Sequence, residues 1–355
     1  MRVVYVNQDP GVGPARKKGA SVHVAAMQQA FRALGCEMLA LEEKDAARAE
    51  AALEALQRER RIELVYQRYA LGAGAAGRFA RRHGVPHVLE VNAPLLEEAA
   101  QHRRVALDEQ ARAREAEVFA GADHVFAVSA AVAEHAVALG FPRARVHVHP
   151  NAVDAERFRP QDSGPTRREL GLPPQAFVLG FHGRLRPWHG FERVAQAASR
   201  LAERGHAVHV LAVGEGEFAA LLAAAGLGAR STCLGWVPHE EMPRLVACFD
   251  ALPLAYAADA PFYFSPLKLL EAMACGAVPV VPDLGELPAL VGHGTAGLVY
   301  PAGSAGALAG ALELLILDAG RRAQIGARAV ELARQRSWKA IAREALELAR
   351  GERVA

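Results

Sequence analysis

The residues best suited to chemistry lie in one segment of the second half of the chain, FYFSPLKLLEAMACGAVPVV, residues 262–281. This segment predicts a loop, a helix that carries Lys268 and Glu271 one turn apart, and a buried Val-rich strand. A helix N-terminus presents free backbone N–H groups and the positive end of the helix dipole, which together favour an anion. The segment therefore predicts an anion-binding site ahead of a core strand.

A second segment, GFHGRLRPWHGFERVAQAA, residues 180–198, gathers basic side chains between a strand and a helix. The strand is predicted to end at Gly183, and Arg184, Arg186 and His189 follow closely. Guanidinium groups pair with phosphate oxygens, and a nearby cation stabilises a departing diphosphate. The pattern favours a diphosphate site, and a solvated basic turn is the alternative interpretation.

Glycine-rich loops after predicted strands are a third feature of the sequence. The loop of residues 7–24 includes Gly19 and leads into a helix, but its spacing is not GxGxxG, which disfavours a nicotinamide dinucleotide site. A flexible surface loop is the alternative there, and His23 is either a buried helix residue or a site residue. Gly214 and Val237 lie in similar turns, which suggest a nucleotide beside the second half of the chain.

Short apolar runs alternate with longer helical runs in both halves of the chain. The predicted strands are RVVYV, IELVYQ, PHVLEV and HVFAVS in the first half, and FVLGFHG, HVLAVGE, FDALPLA and VPVVPD in the second. Several are uniformly apolar, as expected of strands covered by helices on both faces. This alternation predicts an α/β protein with doubly wound parallel sheets.

The chain is long enough for two such sheets, and residues 158–174, rich in Pro, Gly and charge, resemble a linker between them. We predict an N-terminal domain over residues 1–160, a linker over 161–174 and a C-terminal domain over 175–335. The last helix, about residues 336–355, has no strand after it, and we expect it to pack back on the N-terminal domain.

The composition excludes several classes of protein. With 52% hydrophobic and 23% charged residues and a formal net charge of +2, the chain is not typical of a nucleic-acid binder. Its four cysteines show no CxxC spacing, which indicates reduced thiols rather than a disulfide or zinc framework. The start MRVVYVNQ predicts a strand rather than a signal peptide, so we expect a cytoplasmic protein, with peripheral contact at the inner membrane face left open.

Taken in order, these segments resemble one family, the GT-B glycosyltransferases of the large retaining group called family 4. The resemblance covers nearly the full length. It is carried by KKGASVHV, by DHVFAVSAAVAEHAVALGFPRARVHVHPNAVDAERFRP, by GRLRPWHG, by SPLKLLEAMACGAVPVV and by GHGTAGLVYPAG. It implies two Rossmann-like domains that face a cleft, of which the N-terminal one holds the acceptor and the C-terminal one the donor nucleotide.

The resemblance also implies a donor site. By this resemblance, Lys268 of this chain would lie near the donor's diphosphate, and Glu271 would bind the nucleotide ribose. The full set of residues implied for the nucleotide and diphosphate is Gly19, Gly183, Arg184, Arg186, His189, Gly214, Val237, Ser265, Pro266, Leu267, Lys268, Leu269 and Glu271. The implied donor is a UDP- or GDP-sugar, with no further cofactor, and no metal is implied, in agreement with the lack of a DxD-like carboxylate pair.

The sequence departs from the family pattern at two positions. The first Glu of the family's paired-Glu motif, which contacts the donor sugar, is replaced by Tyr263, so sugar contacts would come from Asp259 or from backbone. The lysine of the phosphate turn is absent and His189 stands near its place. Arg184 and Arg186 would then supply the positive charge, and with Lys268 we expect Arg184 to act on the leaving group.

In the N-terminal domain, relatives often carry a His at the end of a central strand, where this chain reads PHVLEVNAP. Asn92 is the expected occupant, with Glu90 two residues earlier on the same strand face. Glu90 is either catalytic or a buried structural acid. Arg68 and Tyr69, at the end of LVYQRYA, join His23 as candidates for acceptor or sugar contact.

The sequence therefore predicts a retaining, metal-independent transfer of a sugar from a nucleotide-diphosphate sugar. A sugar-nucleotide epimerase of the same architecture and a non-catalytic nucleotide-sugar or glycan-binding protein remain alternatives. The acceptor, whether a glycan, a lipid-linked molecule or a small molecule, and the oligomeric state are not predicted.

Overall fold

The described residues form two compact units. The computed structural model describes residues 1–13, 19–103, 108–258 and 262–352, without the side chains of 101–103. Unit 1 comprises Met1–Asn151, Tyr263–Ser265 and Trp338–Ala355. Unit 2 comprises Ala152–Phe262 and Pro266–Ser337.

Unit 1 is built on a six-stranded parallel sheet in the part of the chain that is described, with the order β2-β1-β3-β4-β5-β6. The strands are β1 (Arg2–Asn7), β2 (Glu37–Leu41), β3 (Leu64–Arg68), β4 (His87–Val91), β5 (His124–Ala127) and β6 (Val146–Val148). The helices that follow them are α1 (Gly19–Ala33), α2 (Ala46–Glu59), α3 (Ala75–His83), α4 (Leu95–Arg103), α5 (Glu109–Ala120) and α6 (Ala130–Ala138).

Unit 2 contains a second six-stranded parallel sheet among the described residues, with the order β12-β11-β10-β7-β8-β9. Its strands are β7 (Phe177–His182), β8 (Val208–Val213), β9 (Ser231–Leu234), β10 (Ala251–Pro253), β11 (Val278–Pro282) and β12 (Leu298–Tyr300). Its helices are α7 (Gly164–Glu169), α8 (Phe191–Glu203), α9 (Phe218–Ala224), α10 (Met242–Val246), α11 (Leu267–Ala274), α12 (Leu287–Leu290), α13 (Ala305–Leu317) and α14 (Ala319–Arg334). The last helix of the chain, α15 (Trp338–Ala349), belongs to unit 1 and packs on α1.

Burial explains why the central strands read as continuous apolar runs. Every residue of β1, β3, β4, β7 and β8 is buried, which leaves no face of these strands for polar alternation. Crossover helices on both faces of a parallel sheet produce this pattern. The predicted α/β class, with Rossmann-like doubly wound parallel sheets, is confirmed.

Side-chain caps define where several helices begin. The capping oxygen accepts a hydrogen bond from the backbone N–H three residues later, which satisfies one of the free donors of the first turn. The capping residues are Asp45, Asp108, Ser129, Ser304 and Asp318.

The predicted boundary at residue 160 falls inside unit 2, which begins at Ala152. Val153 N donates to Arg336 O at 3.1 Å, and the buried Phe158 ring lies 5.4 Å from the His239 ring. These contacts attach residues 152–158 to unit 2. The predicted linker also contains α7, whose first turn holds Gly164 and Pro165.

No helix within the described ranges is long and apolar enough to cross a membrane. The four cysteines are free thiols, and Cys248 and Cys275 are buried.

Candidate active site

The strand order of unit 2 reverses between β7 and β10, and ligands of open α/β sheets bind beyond the carboxyl ends of strands at such a point. The basic turn of residues 183–190 follows β7 at this place. The segment that leads into α11 follows β10. Topology alone therefore brings the two chemistry-bearing segments of the sequence to the same edge of one sheet.

Two glycines allow the ends of β7 and β8 to approach closely. Gly183 has φ of +98° and Gly214 has φ of +134°, both in the region that side-chain-bearing residues rarely adopt. A Cβ atom on Gly214 would lie 2.3 Å from the Gly183 carbonyl oxygen. The requirement for glycine at Gly214 thus comes from backbone packing, which shapes the turn that carries the arginines.

Lys268 in the first turn of α11 meets the basic turn. Its Nζ lies 3.4 Å from His189 Nε2 and 4.0 Å from the centroid of the Phe181 ring. Desolvation lowers the pKa of Lys268 to about 7, and the negative charge of Glu271 opposes this shift. A lysine with this pKa, held beside an imidazole, can carry a positive charge for an anion at neutral pH.

Glu271, one turn further along α11, is buried between two histidines that the sequence analysis did not single out. His182 Nε2 lies 2.6 Å from Oε2 and His239 Nε2 lies 2.8 Å from Oε1. Burial alone would raise the pKa of Glu271, but the hydrogen bonds from His182 and His239 outweigh burial and lower it to about 2. The side chain is therefore a fixed carboxylate whose orientation the two imidazoles determine.

The other residues implied for the donor occupy varied environments. Arg184 is exposed, with Nε 3.6 Å from Glu215, and the Arg186 guanidinium lies 5.8 Å from the Trp188 ring centroid. Val237 is half-buried in the loop after β9. Pro266, Leu267 and Leu269 belong to unit 2 with Lys268, whereas Gly19 and Ser265 belong to unit 1.

In unit 1, the predicted residues His23, Arg68 and Asn92 surround a fourth, Glu90, and all of them except the half-buried Asn92 are buried. His23 Nε2 lies 2.8 Å from Glu90 Oε1. Arg68 Nη1 donates to the same oxygen at 3.1 Å, and Asn92 Nδ2 also donates to it. Burial favours a raised pKa for Glu90, but His23 and then Arg68 and Asn92 lower it to about 2.

This cluster is tied to the segment of unit 1 that precedes α11. His23 Nδ1 lies 2.7 Å from Asn151 Oδ1. The Asn151 backbone N–H donates to Ser265 Oγ at 3.1 Å, and its side-chain amide donates to the Ser265 carbonyl. Ser265 thus has a structural partner in unit 1 that the motif did not predict.

The two tyrosines among the candidates lie outside the Glu90 cluster. Tyr69 is buried and donates to Glu115, whose carboxylate also contacts His135. Tyr263 donates to Glu98, and its carbonyl accepts a hydrogen bond of 2.6 Å from Ser129 Oγ. Each tyrosine thus pairs with a carboxylate of unit 1. Asp259 lies outside the described residues.

In the part of the chain that is described, no three or more His, Cys, Asp or Glu side chains are grouped so as to hold a metal ion.

Two family models match the chain. The model of glycosyl transferases group 1 matches residues 176–318, and that of the glycosyl transferase 4-like domain matches residues 1–152. The first range falls within unit 2 apart from residues 263–265, which belong to unit 1, and the second covers the long first segment of unit 1.

Curated relatives agree with these models. A D-inositol 3-phosphate glycosyltransferase of Nocardia farcinica is 33% identical over 245 residues, which are 66% of this chain and 53% of the relative. A protein of the same name from Stackebrandtia nassauensis is 30% identical over 308 residues, which are 80% of this chain and 67% of the relative. The chain thus spans about half to two thirds of the length of these relatives.

Solved structures of other proteins have the same fold as this chain. Anabaena Alr3699/HepE, in complex with UDP, has a TM-score of 0.76 at 21% identity and covers 99% of this chain and 100% of its own. A glycosyltransferase from Rickettsia africae has a TM-score of 0.79 at 14% identity, over 99% and 98% of the two chains. Neither the epimerase nor the binding-protein alternative gains support from these comparisons. The chain therefore belongs to the GT-B glycosyltransferases of family 4, the family that its motifs resemble.

Proposed function

We propose that this chain transfers a sugar from a nucleotide-diphosphate sugar to a hydroxyl group of an acceptor, with retention at the anomeric carbon. The observation that carries the proposal is the contact between Lys268 and His189 at the strand-order reversal of unit 2. It joins a lysine at a helix N-terminus to the basic turn, and a fixed carboxylate, Glu271, stands one turn away. These are the groups that a nucleoside diphosphate requires.

A UDP-sugar is the donor that we propose first, with a GDP-sugar as the second choice. Support comes from Anabaena Alr3699/HepE, which was solved with UDP and with UDP-glucose. Lys268, Arg184 and Arg186 would contact the diphosphate. Glu271 would accept hydrogen bonds from the ribose hydroxyls, since each carboxylate oxygen keeps a lone pair beyond the one that a histidine uses.

The same positive groups explain how the leaving group would be stabilised. As the bond to the anomeric carbon breaks, negative charge grows on the diphosphate, and cations already in place lower the barrier. Lys268 and the arginines supply this charge in the proposed mechanism, which therefore requires no divalent ion. In unit 1 we assign Glu90 as a positioning residue that orients Asn92 and Arg68, because its Oε1 already accepts from both.

The acceptor that we propose to test first is D-inositol 3-phosphate. The name of the relatives from Nocardia farcinica and Stackebrandtia nassauensis supports this choice. Glycans and lipid-linked acceptors are the next compounds to assay with the donor that is found.

The first experiment measures thermal stability with UDP, GDP, ADP, dTDP and CMP, with and without magnesium. One nucleotide at about 100 times its Kd should add about 2.7 kcal/mol, which for a domain of this size raises Tm by about 5–10 °C. We expect the shift to be independent of magnesium and to be lost in Glu271→Gln, whereas Glu192→Gln, an exposed carboxylate on α8, should retain it. A protein that no nucleotide stabilises would contradict the proposed donor site.

A further inference from the structure

Two nitrogen atoms of the basic turn and α11 face each other as hydrogen-bond donors. The Arg186 backbone N–H donates to His189 Nδ1 at 3.1 Å, so Nδ1 presents a lone pair and the proton of the neutral ring lies on Nε2. That Nε2 lies 3.4 Å from Lys268 Nζ. An ammonium group has only donors, so a charged Lys268 beside Nε2–H leaves both groups without an acceptor.

The other groups around Lys268 and His189 offer little negative charge to balance a charged Lys268. Lys268 rests on the face of the Phe181 ring, and the ion pairs of the described residues give it no carboxylate within 4.0 Å. The negative charge that acts on Lys268 among the described residues is Glu271 on its own helix, and His182 and His239 already contact that carboxylate.

The charged and titratable groups on the elements that face Lys268 and His189 also keep this pair uncharged. Burial, followed by the charges of Lys268 and Arg186, lowers the pKa of His189 to about 2, so the ring is neutral. Tyr256, whose ring lies 5.8 Å from His189, has a pKa raised by burial and stays uncharged. Together with the lowered pKa of Lys268, this leaves the Lys268–His189 pair largely without charge above pH 7.

We propose that Lys268 and His189 form a proton-coupled site for one oxygen of the donor's diphosphate, in which the oxygen accepts from His189 Nε2–H while Lys268 takes up a proton from solvent. This inference rests on the proposed function. At the observed separation of 3.4 Å between the two nitrogens, a single oxygen can lie about 2.8 Å from each of them. The bound anion supplies the acceptor that both donors lack and favours the ammonium form of Lys268.

The sign of the pH dependence follows from this coupling. Because the bound site holds a proton that the free site lacks, affinity should fall as pH rises above the pKa of about 7 in the free protein. Linkage of one proton makes that fall about tenfold per pH unit between pH 8 and 9. Below pH 7 the lysine is already charged, and the affinity should change little.

Isothermal titration calorimetry at pH 8 with UDP tests the proposal, in two buffers of different ionisation enthalpy. The difference between the buffers should give an uptake of about 0.9 proton per UDP bound. The terminal phosphate of UDP, with a second pKa near about 6, is already ionised at this pH and contributes little. Uridine, which lacks the diphosphate, is the ligand control and should bind without uptake.

Substitutions of Lys268 and His189 test separately whether UDP binding needs a positive charge and whether that charge is gained by protonation. Lys268→Arg retains a cation that stays charged, so UDP should still bind while the proton uptake and the pH dependence disappear. His189→Gln keeps an N–H donor and should bind more tightly than His189→Phe, which we expect to lose about tenfold in affinity.

The outcomes distinguish this inference from the proposed function. If UDP binds the unaltered protein at pH 8 without proton uptake, the coupling is wrong and the donor site stands. If UDP and GDP both fail to bind, the proposed function itself is wrong.

Discussion

At the scale of single residues, each unit has a buried carboxylate whose pKa is lowered by neighbouring nitrogen groups. Glu90 in unit 1 contacts His23 and Arg68, and Glu271 in unit 2 contacts His182 and His239. Both have pKa values lowered to about 2 although burial acts in the opposite direction. A buried charge that is this fully paired is costly to disturb, because removal of one partner strands the other.

Glu271 should therefore stabilise unit 2 in a pH-dependent way. Its pKa of about 2 in the folded protein lies below the ordinary Glu value of about 4.3, so its contribution is present above pH 4.3 and is lost as pH falls towards 2. The lowered pKa corresponds to about 3 kcal/mol of unfolding free energy. We expect Glu271→Gln to lose this amount at pH 6 and to converge with the unaltered protein near pH 2.

Urea unfolding followed by circular dichroism over pH 2–6 measures this difference. Glu192→Gln, which changes an exposed carboxylate on α8, should follow the unaltered protein at each pH. A constant difference between Glu271→Gln and the unaltered protein over this range would show that Glu271 is not the titrating group.

At the scale of elements, glycine in α3 determines how closely two helices of unit 1 pack. A Cβ on Gly77 would lie 2.8 Å from Gly121 Cα, which is backbone at the end of α5 and cannot move aside alone. Gly77→Ala should therefore destabilise unit 1 by about 1–3 kcal/mol, the usual cost of overpacking.

Gly310 in the middle of α13 provides the matched control, because nothing lies within 4 Å of a Cβ built there. Gly310→Ala should stabilise its helix by about 0.5–1 kcal/mol through a less flexible unfolded chain. Chemical unfolding of both variants measures the two changes in unfolding free energy. Equal effects of the two substitutions would contradict the packing argument for Gly77.

The elements that the sequence revealed are those with a strong local pattern. The eight predicted strands correspond to buried strands of the two sheets, whereas β2, β6, β9 and β12 were not among them. β2, β6 and β9 include exposed positions and β12 has only three residues, so none forms a long, fully buried run. Short or edge strands depend on their neighbours for pairing, which local patterns do not report.

Prediction of the site residues is limited in the same way, because local sequence patterns do not report contacts between distant segments. Lys268, Glu271 and His189 were predicted because each lies in a dense local motif. His182 and His239 were missed, since they are 89 and 32 residues away from Glu271 in sequence and meet it only in the folded sheet. The partners of Tyr263 and Ser265, Glu98 and Asn151, were missed for the same reason.

At the scale of the whole molecule, the chain leaves unit 1, builds unit 2 and returns to unit 1 with α15. Trp338, Ala342, Ala345 and Leu346 on this helix are buried, and the Trp338 ring lies 4.6 Å from the ring of His23 on α1. Helix α15 is therefore part of the core of the first unit, and unit 1 is completed by a segment that follows unit 2 in the sequence.

This connectivity predicts that Trp338→Ala destabilises unit 1 selectively. Loss of a buried tryptophan costs about 3–5 kcal/mol, a large fraction of the about 5–15 kcal/mol that stabilises an ordinary domain. Hydrogen exchange followed by mass spectrometry should show faster exchange in β1, β3 and α1, with unit 2 strands such as β7 and β8 unchanged. Arg343→Ala, an exposed position on the same helix, should leave both units protected.

Nucleotide binding provides the second readout of the same variant. If the donor nucleotide is held mainly through Lys268 and Glu271, a protein weakened only in unit 1 should retain slowed exchange of α11 on addition of UDP. Faster exchange in unit 2 strands as well as in unit 1 would show that the two units unfold together, and α15 would then support the whole chain rather than the unit to which it belongs.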